Sequence, residues 1–106
     1  MLATTNQLLT VLSRHIGRGN GIGVKALATQ LDTTERHVRT LTSELREDGH
    51  AVCGTPQDGY YIAATPEELQ STCEFLRSRA MHSLTLESRL RRIPLTDLLG
   101  QLHLPT

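Results

Sequence analysis

Arg36, Arg39, Thr40 and Ser43 combine types and spacing that suit one kind of chemistry, hydrogen bonding to base edges in the major groove of DNA. An arginine can donate two bonds at once to guanine, and a threonine offers a methyl group to thymine. Residues about 100° apart around a helix place Val38, Leu41 and Leu45 on one side and Arg36 almost opposite. Thr33, Thr40 and Ser43 share the outward face, with His37 and Arg39 on its flanks. Thr33 and Thr34 stand where a helix begins, and its free amides there attract phosphate. Lys25, with Arg14 and Arg18, is the candidate for further backbone contacts. The plainer reading of Arg36, His37 and Arg39 is a solvated face paired with Glu35 or Glu44.

Other chemistry finds little footing. His15, His37, His50, His82 and His103 are scattered, with no HxxxH or HxH pattern and no cysteine at ligand spacing, so no metal site is expected. The glycines from Gly17 to Gly23 are not followed by the Lys-Ser or Lys-Thr of a phosphate loop. Glu67-Glu68 reads as a helix start rather than an acid/base pair. No catalytic residue, no cofactor and no enzymatic activity is expected. Eleven basic residues balance eleven acidic ones, which argues against indiscriminate coating of nucleic acid but allows a few arginines concentrated on one face. No run of about 20 apolar residues is present for a membrane span. Met1 to Gln7 lacks the features of a secretion leader. Cys53 and Cys73 are far apart, so unpaired thiols in a reducing cytoplasm are expected.

The elements that would position these groups follow from periodicity and punctuation. With only three aromatic residues, the core must come from Leu, Val, Ile and Ala, which suits packed helices. A first helix should start at Thr4 or Thr5 and carry Leu8, Leu9, Leu12 and Ile16 inward, ending in the glycine-rich Gly17–Gly21. Ile22 suggests a very short strand. Val24, Leu27, Ala28 and Leu31 predict a short second helix, and Asp32 or Thr33 can cap a third running from about Thr34 to Asp48. Gly49 is its expected left-handed terminus. His50–Thr55 and Tyr60–Ala63, joined by Pro56-Gln57-Asp58-Gly59, predict a hairpin. Its tip carries an acid and no Lys or Arg.

The stretch Val24 to Leu45, VKALATQLDTTERHVRTLTSEL, resembles the type 11 helix-turn-helix seen in the biotin operon repressor and in many bacterial and phage regulators. Leu45 to Ala63, LREDGHAVCGTPQDGYYIA, matches the helix–Gly–strand–turn–Gly-Tyr ending common among them. The resemblance covers about Gln7 to Ala63. It implies a mainly α, winged helix-turn-helix fold, three helices plus a short β-hairpin over residues 1–64, and double-stranded DNA as partner. Some members serve instead as protein-interaction modules.

Thr65-Pro66-Glu67-Glu68 is a complete helix start, with a capping threonine, proline at the first helical position and glutamate closing a capping box. The long helix it opens can run to Ile93, before Pro94, although His82, Ser83 and Thr85 weaken helical preference near Met81–Thr85. Leu69, Cys73, Leu76, Ala80 and Leu84 form a stripe, continued on a shifted face by Leu86, Leu90 and Ile93. A Leu-rich tail follows. Residues 65–106 are thus expected to pair two copies of the chain through Leu69, Leu76, Leu84, Leu90 and Ile93. A tail folded on its own domain is the alternative. For the chain as a whole, a dimeric transcriptional regulator is the leading expectation, a protein-binding adaptor without DNA reading the second, and a small-molecule sensor the third.

Overall fold

The computed structural model describes residues 2–104; Met1, Pro105 and Thr106, at the ends of the two expected domains, lie outside the described residues. The chain is mainly helical with one small antiparallel sheet, in the order α1 (Thr5–Leu12), a 3-10 turn (Arg18–Asn20), α2 (Val24–Gln30), α3 (Glu35–Glu47), β1 (Val52–Thr55), β2 (Gly59–Ile62), α4 (Pro66–Arg91) and α5 (Leu95–Gln101). It divides into two compact units, the first ending at Thr72 and the second beginning at Cys73.

In the first unit, α1 starts on a capping box in which Thr4 and Gln7 satisfy each other's backbone amides. The helix stops at Leu12, a turn earlier than its apolar spacing predicts. Ile16 is therefore off the helix, and it bridges to Ile62 instead. The cause is the free edge of β2. Ile62 N–H donates to the His15 carbonyl and Gly17 N–H to the Ile62 carbonyl, both at 2.8 Å, while Ile22 and Tyr60 exchange bonds of 2.9 and 2.8 Å. The anticipated strand residue Ile22 is thus a bridge on β2. Backbone groups that would otherwise go unpaired decide the path of the loop.

Leu8, Leu12, Ile22, Leu27, Val38, Leu41, Leu45 and Val52 form the core. Fully burying a leucine side chain contributes about 1.5–3 kcal/mol, and Tyr61, 1% exposed, adds the largest fully buried side chain among the described residues. The turn between α2 and α3 closes with Asp32 in the left-handed region (φ 51°) and Thr33 N–H donating to the Ala28 carbonyl at 2.9 Å. Neither Asp32 nor Thr33 caps α3. Thr34 does, accepting from His37 N–H at 3.1 Å. Gly49, at φ 90°, ends α3 as anticipated.

The hairpin pairs Val52 with Ile62 and Thr55 with Gly59. Its tip lies hard against the loop before α2. A Cβ on Gly21 would fall on the Asp58 carbonyl oxygen, and one on Gly59 would come 2.7 Å from the Ile22 backbone. Only glycine fits at either position. The start of α4 belongs to this unit: Gly54 N–H donates to the buried Thr72 hydroxyl at 3.3 Å. At the expected helix start Thr65–Glu68, Glu68 N–H donates to Thr65 Oγ1, and the Glu68 carboxylate also accepts from Ala64 N–H at 2.8 Å and Arg18 N–H at 2.9 Å. Those two amides bring backbone from separate segments to one anion.

The second unit holds most of α4 and all of α5. The weak residues near Met81–Thr85 do not interrupt α4; the Thr85 hydroxyl donates to the Met81 carbonyl and Ser88 to Thr85 within the helix. Arg92, at φ 58°, ends it just before Ile93 and Pro94. Leu98 and Leu99 are buried within a single copy.

Candidate nucleic-acid interface

The 13 residues of α3 present two chemically distinct sides. Val38, Leu41, Thr42 and Leu45 are buried, and Arg36, Arg39, Thr40 and Ser43 are exposed on the opposite side. Arg36 makes no ion pair or side-chain hydrogen bond among the described residues; its carbonyl accepts from the Thr40 hydroxyl at 3.2 Å. The Ser43 hydroxyl is likewise presented outward. Arg39 lies 3.7 Å from Glu35 in the i,i+4 relation, both side chains well exposed. Such a pair stabilises by at most about 1 kcal/mol, weak enough for a phosphate to displace.

Two of the anticipated contact residues are placed otherwise. His37 is half-buried, and its Nε2 sits 2.8 Å from the Ala3 carbonyl, so it ties the N-terminal segment to α3. The buried Ala3 fixes that segment. Thr33, expected on the exposed face, has its hydroxyl buried without a partner among the described residues, because the left-handed Asp32 turns it inward. Thr34 is exposed, with its hydroxyl oxygen engaged as the cap. Lys25 is exposed on α2. It shares an open depression of about 570 Å³ with Thr29, Asp32, Thr33, Thr34 and Glu35.

The acid at the hairpin tip is not bare. Asp58 accepts from the Thr55 hydroxyl at 3.2 Å and lies 3.7 Å from Arg18 Nε. Arg18, expected to support DNA contact, is thereby drawn to the hairpin. The Tyr61 hydroxyl, and after it Asp58 and Glu68, favour the protonated guanidinium and raise its pKa. The amides of Arg18 and Ala64 hold the Glu68 carboxyl below the usual carboxylate range. Arg14 remains exposed. Sequence reasoning missed the tie from Arg46 Nε to the Val52 carbonyl at 2.8 Å, which fastens α3 to β1. An arginine near a helix C-terminus just before a glycine was its only signal.

The residues expected to pair copies divide into two sets. Leu69, Leu76 and Leu90 are 42%, 41% and 85% exposed. Leu84 and Ile93 are half-buried, turned partly toward their own chain, whereas Leu86 is exposed. Both cysteines are unpaired, Cys53 buried and Cys73 exposed. Among the described residues no cluster of His, Cys, Asp or Glu is placed to hold a metal ion, and no helix is long and apolar enough to cross a membrane.

Set against models of protein families, curated proteins and solved structures, the chain matches none of them.

Proposed function

We propose that the first unit is a winged helix-turn-helix reader of double-stranded DNA, acting in the cytoplasm as a bacterial or phage transcriptional regulator, with α3 lying in the major groove. The observation that carries this reading is the outward set on α3. Arg36, Arg39, Thr40 and Ser43 occupy one exposed side directly opposite the core, on the second helix of a tight two-helix turn. Arg36 is the base-reading residue, since its guanidinium is uncommitted. Thr40 and Ser43 contact bases beside it, and Arg39 leaves Glu35 for a phosphate. The α3 amides ahead of His37, whose own N–H is taken by the Thr34 cap, together with Lys25, face the backbone on either side. This role needs no catalytic group, cofactor or metal.

Fluorescence anisotropy with fragments from the gene's own neighbourhood tests it. Binding to one fragment should weaken steeply as salt rises. Arg36→Ala should cost about 1–3 kcal/mol of that binding while leaving the fold intact. Unchanged affinity in the variant removes Arg36 from the mechanism.

A second reading, a winged domain that binds protein instead of DNA, is favoured by one observation. Up to Thr72 the chain carries six Lys and Arg against eight Asp and Glu, a net charge of −2. Salt-sensitive binding to one DNA fragment that Arg36→Ala abolishes would dismiss the adaptor.

A further inference from the structure

The charges of the chain balance overall but not within each unit. From Cys73 onward five arginines stand against three acids, a net charge of +2, and no lysine is among them. The first unit has a net charge of −2, and two of its arginines are engaged within it, Arg18 with Asp58 and Arg46 with the Val52 carbonyl. Affinity for DNA depends on how many phosphates the cations neutralise. The proposed reader is thus short of cations for the backbone.

One face of α4 supplies them. Phe75, Arg79, His82, Leu86 and Arg89 recur at steps of four and three along it. At about 100° per residue they stay within roughly 80° of one another, about 140° round from the buried Ser88. All but the half-buried Phe75 are exposed. No acid falls on this face. Glu74 and Glu87 stand about 100° or more from its centre, and Glu87 is held by Arg91 at 2.7 Å. Neither Arg79 nor Arg89 has an ion pair among the described residues. The Arg79 guanidinium lies 5.8 Å from the centre of the Phe75 ring, a contact that steers it along the face and leaves its charge unneutralised. Arg79 and Arg89 are about 15 Å apart along the axis, from the helical rise.

Chemistry decides the partner. A guanidinium fork fits two oxygens of one phosphate and is more weakly hydrated than an ammonium group. Leu86, with Leu90 at the edge of the face, is a far smaller apolar surface than a helix lying in a membrane interface buries. We infer that this face of α4 binds the phosphate backbone of duplex DNA through Arg79 and Arg89, a sequence-independent contact added to that of α3. The inference takes its partner from the DNA reading of the first unit but rests on different residues.

Fluorescence anisotropy of the full chain across a range of salt concentrations tests it, on the target fragment and on an unrelated one of equal length. Arg79→Gln with Arg89→Gln should weaken binding to both fragments alike. It should flatten the log–log dependence of affinity on salt by about 1.8, at roughly 0.9 per phosphate contact. Arg36→Ala should weaken the target alone. Arg79→Lys with Arg89→Lys should keep most of the slope, which separates lost charge from lost fold. If the lysine pair flattens the slope as fully as the glutamine pair, charge is not the cause and the inference fails. A slope unchanged by the glutamine pair, in a chain that binds the target, overturns the inference and leaves the DNA reading standing. A flattened slope with no effect of Arg36→Ala supports this face and removes the α3 reading. A chain that binds neither fragment overturns both. Binding to phosphatidylserine vesicles that the glutamine pair abolishes, beside an unchanged DNA slope, overturns it in favour of a membrane.

Discussion

The hairpin of the first unit and the long helix of the second differ in how their surfaces are used. Around the hairpin nearly every polar group has a partner from elsewhere in the unit. Asp58 meets Arg18, the outer edge of β2 meets residues 15–22, and Gly54 meets Thr72. Backbone lies so close to backbone at Gly21 and Gly59 that no side chain fits. Along α4 the reverse holds, for leucines and arginines face outward with few ties. A surface closed on itself serves to position another element, here α3. A surface left apolar and charged gives its side chains to solvent in a single copy.

Substitutions at each end of this contrast sharpen it. Gly21→Ala should have the largest effect, because its Cβ would meet the Asp58 backbone rather than a movable side chain. A loss of about 2–4 kcal/mol in urea denaturation is expected. A neutral result would mean that hairpin and loop are not tightly joined. Thr42→Val should act in the opposite direction. The Thr42 hydroxyl is buried without a partner among the described residues, so removing it should stabilise the unit by about 1 kcal/mol. Loss of stability would point to a bond that the hydroxyl makes.

Glu68 gives the contrast a pH dependence. Its folded-state pKa lies below the ordinary value of 4.5, owing first to the Arg18 amide and then to that of Ala64. The stabilisation is therefore present above the unfolded-state pKa and is lost as pH falls through the lower, folded value. Thermal melts between neutral and acid pH should show a steeper acid decline for the unaltered chain than for Glu68→Gln. Parallel declines would show that the two amides do not depend on this charge. The smallest effect belongs to the open surface. Leu90→Gln, measured where the chain is a single copy, should shift stability by no more than about 0.5 kcal/mol. A large loss would place Leu90 in a core.

Much of the helical plan was legible in the residues, and the reason is locality. Thr4, Thr65 with Pro66, Gly49 and Pro94 act on amides and carbonyls within a few positions of themselves. Spacing alone likewise placed Arg36, Thr40 and Ser43 opposite Val38, Leu41 and Leu45. Periodicity failed where distant backbone competed. Ile16 continues the α1 pattern in sequence, yet the unfilled edge of β2 draws it away. His37 reads as a flank of the outward face until the Ala3 carbonyl claims its ring.

The chain by itself thus determined that these helices form and which side of α3 is apolar, since both depend on neighbours three or four residues away. Only the tertiary structure decided that Arg18 serves the hairpin, that Thr33 turns inward, and that Leu84 and Ile93 face their own chain while Leu86 and Leu90 face out. A helix pattern specifies angles around an axis. It does not specify what will stand beside that axis, and packing between segments far apart in sequence supplies that.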